Sequence, residues 1–213
     1  MRKQFNPFQL TEDDESLIEA LLKIGRKSWT DKTINIDGTD YTLQRNSLRN
    51  RISVYLENEQ DGFCAYCATV GSGIREVEHF FKKSTYPNLT WNPNNLLSSC
   101  IDCNHRRKGT RNFVINPPAA DERDLIVDAT QLDCSVVNPL LDNPNEHIIW
   151  SANIILCLGH RTTMGQKTIA TFEIDGNNVT LMRSATHDKH NHPLTADEEI
   201  ELAKIISIPR VRA

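Results

Sequence analysis

The chain has 213 residues, 38% of them apolar and 24% charged, enough for one compact domain with embellishments and too well supplied with apolar residues for a disordered tail. Its longest aliphatic run, Ile154 to Leu158, is far short of the roughly 20 residues that cross a bilayer, and Met1-Arg2-Lys3 leads into no apolar stretch of signal-peptide length, so a cytoplasmic protein is expected. The formal charge of −4 argues against indiscriminate coating of nucleic acid, but residues 75 to 112 carry seven basic side chains against three acidic ones, a +4 island in a body of −8.

In chain order, Thr11 is placed to cap a helix whose Leu17, Ile18, Leu21 and Leu22 share a face, with Gly25 near its end. Ile34 and Ile36 alternate before the turn dipeptide Asp37-Gly38, and Tyr41 and Leu43 alternate after it, the pattern of a hairpin. Ser47 opens a second predicted helix through Leu48, Ile52, Tyr55 and Leu56 to about Gln60. Residues 1–60 therefore read as a helical region with a short hairpin, residues 61–116 as a central module closed by Pro117-Pro118, and residues 117–213 as an α+β region expected to bind a partner. In the last region, residues 148–150 and 154–158 read as short buried strands and residues 166–172 as a helix. Thr195 and Glu198 form a capping box ahead of Ile200, Ala203 and Ile206.

The central module holds two C-x-x-C pairs, Cys64/Cys67 and Cys100/Cys103. In a chain without a secretory signal, such pairs are metal ligands before they are disulfides, and four thiolates complete a tetrahedral zinc site with no open position. The metal expected here is structural. The 32 residues between the pairs exceed the spacing of common zinc ribbons, so an insertion lies between the knuckles. Within it, residues 76 to 81 (Glu-Val-Glu-His-Phe-Phe) alternate as a strand, which turns Glu78 and His79 to opposite faces. Asn95 follows in a turn-rich stretch, and Asn104 stands directly after the last cysteine, on a helix expected to begin near Cys100.

This order of Cys-x-x-Cys, Glu-His, Asn-Leu-Leu, Cys-x-x-Cys-Asn and Lys108-Gly109 resembles the HNH endonucleases, the ββα-metal nucleases, with His79, Asn95 and Asn104 as the three name-giving positions. It is similar more narrowly to the HNH subunit of Septu-type anti-phage systems, the PtuB-like proteins, which are also found beside some retrons. The resemblance covers residues 64 to 109; this chain has Lys82 where such relatives usually carry proline. It implies an α+β fold with a ββα-metal core between mainly helical flanks. It further implies His79 as general base, Glu78 and Asn104 as ligands of a catalytic Mg²⁺ or Mn²⁺, and Asn95 as the residue that fixes the loop facing His79. Lys82, Lys83, Arg106, Arg107, Lys108 and Arg111 are the expected phosphate contacts, DNA before RNA is the expected substrate, and a PtuA-like ATPase of the ATP-binding-cassette type is the expected partner.

Two rival readings keep the cysteines and drop the chemistry: a zinc-scaffolded nucleic-acid-binding module, and a thiol redox protein. His187, His190 and His192 sit in a polar stretch that reads as a solvated loop, and Cys134 and Cys157 read as small apolar side chains. Residues 159 to 168 fail the spacing of a phosphate-binding loop.

Overall fold

The computed structural model describes residues 4–70, 75–151, 153–185 and 194–207. His187, His190 and His192 lie outside the described residues. The architecture is α+β, built of helices and two-stranded antiparallel sheets. No helix among the described residues is long and apolar enough to cross a membrane.

Helix α1, Glu12–Leu22, starts at the capping box between Thr11 and Asp14. The short helix α2, Lys27–Thr30, is fastened by Arg45, whose buried guanidinium donates to the carbonyls of Ser28, Trp29, Asp31 and Lys32. The expected hairpin is present but brief, β1 Asn35–Ile36 with β2 Thr39–Asp40. Helix α3 spans Thr42–Glu59, starting five residues ahead of Ser47 and absorbing Leu43, which is largely exposed on it instead of alternating along a strand. Its apolar positions Leu48, Ile52 and Leu56 are buried as the 3.6-residue period requires.

Strands β3, Arg75–His79, and β4, Leu96–Cys100, pair antiparallel with Glu78 opposite Leu97 and His79 opposite Leu96. This ribbon divides two cores. Leu96 joins Trp29, Ile34, Leu48, Ile52 and Trp91 on one side, while Leu97 joins Tyr66, Phe80, Phe81 and Phe172 on the other. Side chains adjacent on a strand point to opposite faces, so Val77 and His79 turn toward the N-terminal core, and Glu76 and Glu78 away from it. Directly after β4 the chain winds into a π-helix, Asp102–Lys108, ended by Gly109 at φ +50°.

The C-terminal part holds α4 Pro144–His147, β5 Ile148–Trp150, β6 Cys157–His160, α5 Thr163–Phe172, α6 Asn177–Ala185 and α7 Ala196–Ser207. The second strand begins three residues later than the apolar run suggests. Ile154 takes a left-handed φ of +63°, and Asn153 ties the turn by accepting from Ser151 Oγ and Ile155 N, so residues 154 to 156 form its exit.

Candidate active site and metal centre

Both cysteine pairs sit on tight turns that bring them together. The first is closed by Ala68 N–H donating to Cys64 O at 3.1 Å, with Ala68 left-handed at φ +56°. In the second, Cys103 N–H donates to Cys100 Sγ at 3.4 Å, and Cys100 N–H reaches across to Cys64 Sγ at 3.4 Å. All four sulfurs lie within 4.8 Å of one another. A tetrahedral ion with Zn–S of about 2.3 Å needs sulfurs about 3.8 Å apart, and Cys67 and Cys100 stand at 3.9 Å. The cluster can hold a zinc ion. Crowding divides the thiols: hydrogen bonds from its three neighbours pull Cys67 well below its ordinary pKa, and burial pushes Cys64 well up. Arg107 adds a cation at the edge, Nη1 donating to Cys103 Sγ at 3.5 Å.

Beside this centre, at the end of the β3–β4 ribbon, opens a cleft of about 650 Å³ lined by Glu78, His79, Asn104, Lys82, Lys83 and Lys108 among others. His79 is 4% exposed and meets the Trp29 ring edge-on at 4.6 Å. Its Nε2 stands 3.0 Å from the Thr90 carbonyl, which can only accept, so Nε2 carries the hydrogen and Nδ1 keeps its lone pair. Burial, reinforced by the Lys83 charge, holds the imidazole well below its ordinary pKa and therefore neutral at pH 7.

Asn95, fully buried, fixes the loop that supplies that carbonyl. Its Oδ1 accepts from Phe81 N at 2.6 Å, and its Nδ2 donates to Phe81 O at 3.0 Å and Leu89 O at 2.9 Å, tying the segment after His79 to the residue before Thr90. Glu78 is raised by burial, opposed by the ammonium of Lys108, which pairs with it and also donates to His79 O at 2.5 Å. Asn104 Nδ2 donates to Glu76 Oε2 at 2.8 Å, and His105 Nε2 lies 2.7 Å from the same oxygen. Asn104 Oδ1 accepts no hydrogen bond among the described residues.

Two curated proteins match this chain. One, from Bacillus thuringiensis, is 27% identical over 178 residues, 82% of this chain and 54% of its own length. The other, from Bacillus mycoides (strain KBAB4), is 25% identical over 167 residues, 71% of this chain and 50% of its own. Both are named Septu protein PtuB. The chain is thus similar to PtuB proteins, and it spans about half the length of the curated relatives it matches. No protein-family model and no solved structure matches it.

The six expected phosphate contacts separate. Lys82, Lys83 and Lys108 line the cleft, and the Lys82 ammonium is anchored to Thr110 O, a bond that a proline at this position could not make. Arg106 and Arg107 instead form ion pairs with Asp102 and Glu173, clamping the π-helix to the end of α5. Arg111 donates to Arg106 O at 3.4 Å and is outside the cleft lining. In their stead Arg26 and Lys27, from the start of α2, line the cleft, and among the described residues none of the C-terminal region does. No local motif signals these two: they arrive through packing of the N-terminal region against β3.

Proposed function

We propose that the chain is the HNH-type nuclease component of a Septu anti-phage defence system, hydrolysing nucleic-acid phosphodiester bonds, with DNA as substrate and a PtuA-like ATPase as partner. The observation that carries this reading is that Glu78, His79 and Asn104 line one basic cleft beside a four-sulfur centre. An antiparallel strand pair followed at once by a helix, and the similarity to PtuB proteins over most of the chain, support it.

In this reading His79 Nδ1 takes a proton from the attacking water, while the Nε2–H bond to Thr90 O fixes the tautomer and orients the ring. The neutral ring is ready to accept, and protonation of His79 begins to slow cleavage only below the ordinary histidine range. Lys82 and Lys83 bind the flanking phosphates, and Asn95 acts at a distance by holding the loop. A divalent cation fits the donor set: the Glu78 carboxylate and Asn104 Oδ1 are hard oxygen ligands on the same cleft. Bound there, Mg²⁺ or Mn²⁺ would neutralise charge on the phosphate and the departing oxygen.

The decisive experiment incubates the zinc-loaded protein, alone and with its ATPase partner, with DNA and Mg²⁺ or Mn²⁺ against an EDTA control. His79→Ala should lose metal-dependent cleavage and keep about one zinc per chain. Full activity in that variant removes the proposed base. One observation favours a binding module without catalysis, the Lys108 ammonium already neutralising Glu78; wild-type protein that binds DNA and never cuts it establishes that alternative.

A further inference from the structure

A second cleft, of about 550 Å³, lies along α3 and shares Val77, Asn104 and His105 with the first. Asn46, Arg49, Asn50 and Ser53 line it, at positions i, i+3, i+4 and i+7 that bring one side of the helix to the groove. The three α3 arginines have different fates. Arg45 is spent on four backbone carbonyls and Arg51 on Asp14, whereas Arg49 has no carboxylate partner among the described residues. Its guanidinium instead lies over the Trp29 ring, 4.8 Å from the centroid. That seat is half-buried, and burial together with the Arg45 charge opposes its ionisation, so the site holds an uncompensated cation. Glu76 is the acid in this lining, and its Oε2 is already engaged by Asn104 and His105. Arg75 is turned to the carbonyls of Gly62 and Thr69.

We propose that this second cleft is a backbone subsite for the nucleic-acid strand, in which Arg49, held on the Trp29 ring, binds a phosphate flanking the one cleaved in the first cleft. The inference rests on the nuclease reading and extends it, since Asn104 and His105 stand at the junction of the two grooves. Asn46, Asn50 and Ser53 supply neutral donors along the same face, able to bond phosphate or sugar oxygens without reading sequence. A polyanion laid across both grooves meets Arg26, Lys27, Lys82 and Lys83 on one side of that junction and Arg49 on the other. The Trp29 ring touches both, lying under the Arg49 guanidinium and standing perpendicular to the His79 ring.

The test is binding of a fluorescently labelled DNA duplex by the full-length zinc-loaded protein, without added Mg²⁺ or Mn²⁺, between 50 and 200 mM salt. Arg49→Met should weaken binding about 5- to 30-fold and lower the slope of log K against log salt by about one, while Arg49→Lys keeps the slope. Asn50→Asp adds a repulsive charge to the groove without touching Trp29, and should weaken binding by a similar factor even if Arg49→Met folds poorly. Unchanged affinity and slope in Arg49→Met and Asn50→Asp, with Lys83→Met still impaired, overturns the subsite and leaves the nuclease reading standing. A wild-type protein that binds neither DNA nor RNA overturns both.

Discussion

Asp14 does two jobs with one carboxylate. It closes the cap of α1 with Thr11, and it receives the Arg51 guanidinium, tying the start of α1 to the middle of α3. Hydrogen bonds from Arg51 pull its pKa below the ordinary carboxylate value against the cost of burial. Because the folded pKa is the lower one, the unfolded chain binds this proton more readily, and folding stability is lost as the pH falls from about 4 through the folded value. Above about pH 4 the contribution is present in full. Arg51 is half exposed, so the discounted size is about 1 kcal/mol. Urea titrations at pH 7 and pH 3 should show Arg51→Met costing about that much at the higher pH and less at the lower, once both proteins hold zinc or both lack it. An equal cost at both values would assign the loss to the Arg51 guanidinium over the Phe8 ring, 5.9 Å from its centroid.

At the scale of elements, the π-helix decides how Glu78, His79 and Lys108 meet. Gly109 ends it at φ +50°, donating to Asn104 O at 2.9 Å, and a methyl group there would stand 2.9 Å from His105 O. Gly109→Ala should therefore cost about 2 kcal/mol in a urea titration while zinc content stays near one per chain. The expected structural response is withdrawal of Lys108 from Glu78 and His79 O. The two cysteine pairs were legible in the sequence because ligand chemistry fixes residue type and spacing together. So was α1, whose capping box is a local signal. The start of α3 was not, since Tyr41 provides no side-chain cap and the turn pattern ran past it into Leu43. Nor was the π winding, in a segment held between the cysteine centre and the ion pairs of Arg106 and Arg107 with Glu173, contacts that no local pattern announces. The roles of Trp29, Arg26 and Arg49 were illegible for a related reason: each reaches its cleft through tertiary packing, and nothing in the spacing of residues 26, 29 and 49 relates them to residue 79.

Across the whole molecule the sulfur centre is the point where three stretches of chain meet. Arg183, buried on α6, donates to Ile155 O at 2.7 Å, Cys67 O at 3.0 Å and Ile174 O at 2.8 Å, with the Trp150 ring 5.3 Å away. Those bonds join the first cysteine turn to the β5–β6 turn and to the end of α5, while Arg107 and Glu173 join the second cysteine turn to the same helix end. A metal held by the cysteines would thus stabilise the C-terminal region as well as its own loops, and by linkage the coupling would run both ways. Arg183→Leu would strand three buried carbonyls, that of Cys67 among them, a loss of about 3 kcal/mol for a change that replaces none of the four cysteines. If the coupling is as drawn, this variant should release zinc to a colorimetric chelator faster than wild type, and hydrogen exchange should rise together at residues 64–69 and 154–156. Faster exchange at residues 154–156 alone, with unchanged zinc release, would mean that the two cysteine turns hold their ion without help from the C-terminal region.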